Sequence, residues 1–195
     1  MKVTREQAME NRERVLDAAA RQFRERGLDG IGVAELMQGA GLTHGAFYGQ
    51  FASKDELAVE AVGRAFERGL AELAGIGERA RGSPLAAVLR SYLSSAHRAQ
   101  PGLGCVVASV GPESSRKGPG LRAVITDGIR AQIDLIAGWV RGRGEAARRE
   151  RAIAVYAGMV GALVLARAVD DDALAAEILH AVRASLETEA PAAAA

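Results

Sequence analysis

Hydrophobic residues recur along this chain at intervals of three and four residues, which is the spacing of amphipathic helices. The first such stripe consists of Val15, Leu16, Ala19, Ala20 and Phe23, and Arg12, Arg14, Arg21 and Arg24 lie off it. Thr4 and Gln7 have the spacing of a capping box, and Gly27 is predicted to end the helix in the αL conformation. No segment alternates apolar and polar residues as a half-buried strand does. The pattern therefore predicts an all-α fold.

About nine helices follow from the same reasoning. Their approximate predicted ranges are 4–26, 33–40, 43–51, 53–75, 84–100, 105–111, 119–141, 145–169 and 171–187. Ser53 and Glu56 form the capping pair of the fourth helix, and Gly75 and Gly77 are predicted to end it. The first three helices form a small N-terminal unit, the rest form a larger helical body, and the fourth helix connects the two.

Two short predicted helices meet at Ala40-Gly41-Leu42. Gly41 supplies the backbone freedom for a tight turn, and Leu42 fills the angle between the helices. This arrangement is what a helix-turn-helix requires, with its second helix presented to the major groove. The same pattern also fits an ordinary structural helix pair, so the spacing alone leaves both interpretations open.

Composition and charge exclude several other classes of protein. The chain has 195 residues and a formal net charge of +1, and residues 1–54 carry 8 basic and 7 acidic side chains, so any non-specific DNA binding is expected to be modest.

The single cysteine and three scattered histidines predict neither a metal site nor a cofactor. The polar N-terminus and an apolar run of only 15 residues, 152–166, predict a cytoplasmic protein, since a membrane span needs about 20.

The run from Ala40 to Leu57, AGLTHGAFYGQFASKDEL, resembles the signature of TetR-family transcriptional regulators. It follows a first helix that contains Ala-Ala-Arg-Gln-Phe and ends at Arg26-Gly27-Leu28, as in that family. The resemblance covers roughly residues 12–57. It implies a helix-turn-helix DNA-binding domain at residues 1–55, with the motif at Gly32 to Phe51, and a ligand-binding and dimerisation domain at 56–190. The low-complexity end of the chain separately predicts a frayed tail at 191–195.

The resemblance also assigns roles to six residues. Thr43 matches the small residue that caps the recognition helix and meets a phosphate, and His44 matches a position that reaches base edges. Gly45 and Ala46 match small residues that let the helix approach the DNA closely. Tyr48 and Lys54 match phosphate contacts, Lys54 at the start of the fourth helix.

Two positions depart from the family pattern. Ile31-Gly32-Val33 stands where the family often has a threonine at the start of the second helix, and Gly49 stands where a histidine is common. Two groups that would approach the DNA backbone are therefore absent. We expect the first-helix arginines to carry more of the affinity, although interleaved glutamates would also allow them to form i,i+4 pairs on a solvated surface.

The last two long helices are candidates for a homodimer interface. Residues 152–166 are apolar on all sides, and the last helix carries a clean apolar stripe. The resemblance implies a four-helix dimer interface, which would match a palindromic operator. Its candidate residues are Gly158, Gly161, Leu174, Ile178, Leu179 and Val182. The alternative is an ordinary core helix with an amphipathic cover.

A small-molecule pocket is expected among the body helices, because scattered polar groups on apolar helices are typical of such cavities. Its candidate lining residues are Tyr92, Ser95, His97, Cys105, Ser109, Trp139, Tyr156 and Met159. Each also has an ordinary interpretation as a core residue, and Trp139 in particular is expected to be structural.

The resulting hypothesis is a ligand-responsive repressor that leaves its operator when a small-molecule effector binds, and that is not an enzyme. Cys105 adds an alternative, because a thiol at a helix start favours the reactive thiolate. Some relatives with a Gly-Cys step in this region sense electrophiles, whereas the ordinary interpretation is a small buried residue. A further alternative is a small helical enzyme with Cys105 as nucleophile and His97 as base.

Overall fold

The computed structural model describes residues 4–189, and within this range every regular element is helical. Nine α-helices are present there: α1 Arg5–Arg26, α2 Val33–Gly39, α3 Lys54–Glu78, α4 Pro84–Tyr92, α5 Ser95–Ala99, α6 Val106–Ser114, α7 Pro119–Ala137, α8 Glu145–Ala168 and α9 Asp172–Glu187. Two short 3-10 helices lie at His44–Ala46 and Pro101–Leu103. The predicted all-α fold is confirmed. The tail predicted to fray, 191–195, lies outside the described residues.

The predicted number of helices is right, but the nine observed α-helices are not the same nine segments. The predicted third helix is only the 3-10 turn His44–Ala46, and the predicted helix 84–100 is divided into α4 and α5. It divides because Ser94 is extended (φ −119°, ψ 155°) and its side chain accepts a hydrogen bond from the amide of His97. A serine that caps a new helix in this way interrupts the preceding one.

The described residues form two compact units. The first contains residues 4–66 and 101–126, and the second contains 67–100 and 127–189. Both α3 and α7 begin in the first unit and end in the second. The predicted boundary between residues 55 and 56 separates a DNA-binding domain from a ligand-binding domain. This functional division stays a prediction.

The first unit is built on the predicted stripe of α1. Val15, Leu16, Ala19 and Phe23 are at most 5% exposed, and the capping box of Thr4 and Gln7 is formed. Gly27 ends α1 with a positive φ of 79°, but its ψ of 166° lies outside the αL region, so the predicted type of helix end is wrong. The stripe packs on a core of Leu36, Met37, Phe47, Phe51 and Leu57, all at most 2% exposed.

Residues 101–126, here called the return segment, complete this first unit. Arg24 donates a hydrogen bond to the carbonyl of Gly104 at 3.1 Å, and the amide of Leu28 donates to Glu113 Oε2 at 2.8 Å. Lys117 forms an ion pair with Asp29. The end of α1 and the loop after it are thus held by residues that lie about 80 positions further along the sequence.

The second unit has a core of aliphatic and aromatic side chains, among them Leu85, Val88, Leu89, Ile136, Val155, Met159 and Leu163, all fully buried. Arg98 and Arg167 connect α5 with the end of α8. Arg98 Nε donates to the carbonyl of Ala166 at 2.7 Å, and Arg167 Nη2 donates to the carbonyl of His97 at 2.8 Å. Arg98 also pairs with Asp172 at the start of α9, at 2.6 Å.

Among the described residues, α8 is the one helix long and apolar enough to cross a membrane by length and composition. It packs closely against α9, and residues such as Ala152, Val155, Met159 and Leu163 are fully buried. Other apolar residues of α8 face outward, including Ile153 at 46% and Leu165 at 56% exposure.

Candidate nucleic-acid interface

The turn after α2 has the geometry that a helix-turn-helix requires. Gly41 has a φ of 70°, and the amide of Leu42 donates to the carbonyl of Met37 at 2.9 Å. Arg14 Nη2 donates to the carbonyl of Ala40 at 2.6 Å, which fastens the turn to α1. A Cβ at Gly41 would lie 2.7 Å from Arg14 Nη2, so both the backbone angle and the space favour glycine.

Two aromatic anchors hold the segment that follows the turn. Phe47 and Phe51 are 1% and 2% exposed, and their rings stack with centroids 5.7 Å apart. The guanidinium of Arg12 lies 4.8 Å from the centroid of the Phe51 ring. The i, i+4 spacing of the two phenylalanines therefore belongs to core residues, although the segment forms only a short 3-10 turn.

The side opposite these anchors carries the residues assigned to DNA. Thr43, His44, Gly45 and Tyr48 are exposed, and Tyr48 reaches 68% exposure. The His44 ring lies edge-on to the Tyr48 ring, with centroids 5.6 Å apart. Ala46 is half-buried. An exposed hydroxyl beside an imidazole presents two polar groups to a ligand outside the chain.

Thr43 and Gly45 are available for contacts outside the chain. Thr43 occupies the N-cap position of the 3-10 turn, but its side chain makes no capping hydrogen bond, so the predicted capping role is not observed. A Cβ added at Gly45 would meet no atom within 4 Å, so the fold does not require a glycine there. Both residues leave room for a close approach by another molecule.

Lys54 opens α3, as the sequence predicts. Ser53 Oγ accepts a hydrogen bond from the amide of Glu56 at 3.0 Å, and Glu56 Oε2 accepts one from the amide of Ala52 at 2.6 Å. This reciprocal pair confirms the predicted helix start, with the returning bond one residue earlier than in a standard capping box. Lys54 lines a cleft of about 280 Å³ together with Asp29 and Lys117.

The arginines of α1 are largely engaged within the chain. Arg12 pairs with Glu60 at 2.5 Å, and Arg26 pairs with Glu35 at 2.8 Å. Arg14 and Arg24 each donate to a backbone carbonyl. These bonds occupy donor groups that DNA would need, and the expectation that the first-helix arginines carry more of the affinity stays a prediction.

The candidate ligand residues are divided between the two units. Cys105 and Ser109 belong to the first unit, and Tyr92, Ser95, His97, Trp139, Tyr156 and Met159 belong to the second. Tyr92, Tyr156 and Met159 are buried, whereas Ser95 is exposed at the start of α5. Trp139 packs against Gly77, in agreement with its structural interpretation.

His97 has a defined environment in the second unit. Its Nδ1 lies 2.7 Å from the carbonyl oxygen of Tyr92, and its ring is edge-on to the Tyr92 ring at 4.6 Å. Burial lowers the pKa of His97, the charge of Arg167 lowers it further, and the hydrogen bond to Tyr92 opposes the shift. The ring is therefore held neutral near pH 7.

Sequence reasoning missed Gln132, a buried polar residue of α7. Its side chain is 6% exposed, and Oε1 has no hydrogen-bond partner within the described structure. A buried carbonyl oxygen without a partner is unfavourable unless a ligand or water supplies a donor. The sequence does indicate this buried position, because Gln132 lies among the apolar residues Ile129, Ile133 and Ile136.

The six residues assigned to a dimer interface also separate into two groups. Leu179 is 4% exposed, and a Cβ at Gly158 would lie 3.3 Å from Leu186, so both face the contact between α8 and α9. Gly161 and Leu174 are exposed, and Ile178 and Val182 are partly exposed. Gly161 and Leu174 are therefore the most accessible of the six to another chain.

Comparison with known proteins covers both the N-terminal unit and the fold. The family model for bacterial regulatory proteins of the tetR family matches residues 15–61. Over these residues the chain is similar to the TetR family of regulators. The TetR match includes the turn at Gly41, the anchors Phe47 and Phe51, and the exposed residues between them.

Other similarities extend this assignment. The HTH-type transcriptional regulator AcrR of Shigella flexneri is 37% identical over 54 residues, which are 28% of this chain and a quarter of AcrR's own length. A TetR transcriptional regulator from Chloroflexus aurantiacus shares 26% identity over 94% of this chain and 95% of its own, with a TM-score of 0.76. The reduced form of E. coli NemR is similar in fold, with 22% identity, a TM-score of 0.79, and coverage of 95% and 100% of the two chains.

The chemistry of the described residues does not indicate a metal centre. Within residues 4–189, no three His, Cys, Asp or Glu side chains lie together in a group that could hold a metal ion. The polar groups of Thr43, His44, Tyr48 and Lys54 are instead hydroxyl, imidazole and ammonium groups, which suit an anionic partner.

Proposed function

We propose that this protein is a DNA-binding transcriptional regulator whose recognition surface is formed by Thr43, His44, Gly45, Ala46 and Tyr48, with Lys54 beside it. The observation that carries the proposal is the exposure of Thr43, His44, Gly45 and Tyr48 opposite the buried anchors Phe47 and Phe51. A rigid aromatic base fixes the segment, and the exposed side is left for base edges and phosphates. The match of residues 15–61 to a family of regulatory proteins supports it.

The regulator is proposed to act as a cytoplasmic homodimer. Apolar residues of α8 and α9 face outward, including Ile153, Leu165 and Leu174 at 46%, 56% and 41% exposure. Apolar surface on two adjacent helices is typical of protein interfaces, and a two-fold dimer places two recognition segments on a palindromic operator. The same surface explains why α8 is apolar enough to resemble a membrane span.

A small-molecule effector is proposed to bind within the second unit and to release the repressor from its operator. The unsatisfied Oε1 of Gln132 supports a ligand that donates a hydrogen bond. Because α3 belongs to both units, a ligand that changes the second unit can change the orientation of the helix that follows the recognition segment.

The DNA-binding proposal is tested by a mobility-shift series on duplexes selected from a random library. Tyr48→Phe and Lys54→Ala should each weaken binding about 3- to 10-fold on every duplex, because phosphate contacts carry no sequence information. His44→Ala should instead reduce discrimination between selected and scrambled duplexes. Arg130→Gln, an exposed change on α7, is the matched control. Unchanged affinity for both Tyr48→Phe and Lys54→Ala would contradict the proposed surface.

A second candidate function is electrophile sensing through Cys105. The supporting observation is that Cys105 is the N-cap residue of α6 and is only partly buried, next to Gly104, whose carbonyl accepts the bond from Arg24 of α1. A bulky adduct at this position would disturb the contact with α1. Thiol titration of the folded protein separates the candidates: labelling that requires denaturation contradicts sensing and leaves a non-covalent effector.

A further inference from the structure

The return segment brings positive charge to the unit that contains the recognition surface. Residues 101–126 carry Arg116, Lys117 and Arg122 against one acidic residue, Glu113. The Glu113 carboxylate is occupied by the amide of Leu28 at 2.8 Å. The first 54 residues are nearly neutral, with 8 basic and 7 acidic side chains. The net positive charge of the return segment therefore favours a polyanion more than the charge of the first 54 residues does.

Three of the unit's basic residues act electrostatically on Asp29, which lies in the loop after α1. Lys117 pairs with Asp29, and both line the cleft of about 280 Å³ that Lys54 also lines. The hydrogen bond from Lys117 lowers the pKa of Asp29, and the positive charges of Lys54 and Arg116 lower it further. Lys54, Arg116 and Lys117 are thus all within electrostatic reach of one exposed carboxylate.

The three basic side chains differ in whether they already have a partner within the chain. Within residues 4–189, the side chains of Lys54 and Arg116 have no hydrogen-bond or ion-pair partner, and Lys117 is held by Asp29 alone. The acidic residues Asp55 and Glu56 also line the cleft, and Glu56 accepts the amide of Ala52. These two carboxylates disfavour an anion beside them, so the favourable part of the cleft is the part near Lys54 and Lys117, and Arg116 precedes Lys117 in the chain.

We propose that Arg116 and Lys117 bind phosphodiester oxygens of the DNA backbone, next to the phosphate assigned to Lys54. This rests on the proposed DNA-binding function and extends its footprint beyond the helix-turn-helix to the loop between α6 and α7. Asp29 holds the Lys117 ammonium in place in the unbound protein, and its negative charge opposes the phosphate. Each contact adds an ionic interaction that does not depend on base sequence.

The test measures the salt dependence of binding to a random-sequence duplex of about 30 base pairs, since each phosphate contact contributes about 0.9 to the slope of log K against log salt. Arg116→Gln and Lys117→Gln should each reduce that slope by about one and weaken binding several-fold at low salt. Arg130→Gln removes an exposed arginine of α7 outside this cluster and should change neither quantity.

Asp29→Asn should change the affinity for DNA in the opposite direction. Removing this carboxylate should tighten binding a few-fold and should not reduce the slope. Arg116→Gln removes no intrachain partner, so it decides the outcome even if Lys117→Gln alters the fold. If Arg116→Gln and Lys117→Gln both have the same salt slope as Arg130→Gln, the proposed phosphate contacts are wrong. The proposed recognition surface is not affected by that result. A complete lack of salt-sensitive binding by the unmodified protein would overturn both proposals.

Discussion

His97 shows how a single side chain links this structure to pH. In the folded protein its ring is largely buried against Tyr92, and burial holds its pKa below the usual value near 6.5. The unfolded chain therefore binds a proton at a higher pH than the folded chain does. Stability rises with pH wherever the unfolded state binds more protons, so the contribution is complete above about pH 6.5 and is lost as pH falls below it.

The expected result is a free energy of unfolding that decreases between pH 7 and pH 5.5. His97→Asn should flatten this part of the profile, because the titrating group is gone. His180→Asn removes an exposed histidine of α9 and is the matched control. Urea denaturation at a series of pH values measures the effect. A profile that is equally steep for His97→Asn and His180→Asn would show that His97 is not responsible.

Residue by residue, the sequence was most informative where one physical requirement dominates. The spacing of Phe47 and Phe51 predicts two buried anchors, and Ser53 and Glu56 predict the start of α3. Thr43 shows the limit of such reasoning. It stands at a helix start, but the short 3-10 turn offers its side chain no capping bond, and nothing in the local sequence indicates this.

At the scale of whole elements, α3 illustrates why the ends of helices are difficult to predict. Gly75 and Gly77 are ordinary stop signals, yet α3 continues to Glu78. The reason lies in packing: a Cβ at Gly77 would lie 2.6 Å from Trp139 Cζ2, so glycine is needed there for close contact. The residue that provides this reason is 62 positions away, and local patterns do not contain it.

The two glycines of α3 provide a matched pair of substitutions. Gly75→Ala meets only the movable end of Arg79 and should stabilise the protein by up to about 1 kcal/mol through helix propensity. Gly77→Ala gains the same propensity but must displace the Trp139 ring, which costs about 1–3 kcal/mol. Thermal or urea unfolding of both variants measures the difference. Equal stabilities would show that the Trp139 contact yields without cost.

At the scale of the whole molecule, the outward apolar residues of α8 and α9 determine how the chain is expected to assemble. Four of the six residues predicted for this interface come from the apolar stripe of the last helix, but a stripe does not reveal which side meets the chain's own helices. Burial separates them: Leu179 is 4% exposed and Leu174 is 41% exposed. The same substitution at these two positions therefore addresses different properties.

Leu174→Glu should give a folded monomer, because at 41% exposure the new carboxylate can reach solvent in the single chain but would be buried in the interface. Leu179→Glu should destabilise the fold itself by placing a charge among buried residues. Leu103→Glu, at a residue 66% exposed in the first unit, is the control for adding a charge to an exposed leucine. Light scattering and circular dichroism distinguish these outcomes. A Leu174→Glu protein that stays dimeric at micromolar concentration would contradict the proposed interface.

The return segment also has a consequence for synthesis on the ribosome. Leu28 and Asp29 emerge early, but their partners Glu113 and Lys117 are translated only after much of α3, α4 and α5. At about 5–20 residues per second, the 60 residues between Phe66 and Thr126 take roughly 3–12 s. During that interval the nascent N-terminal helices lack the contacts that complete their unit, so we expect the unit to finish folding only after the return segment has emerged.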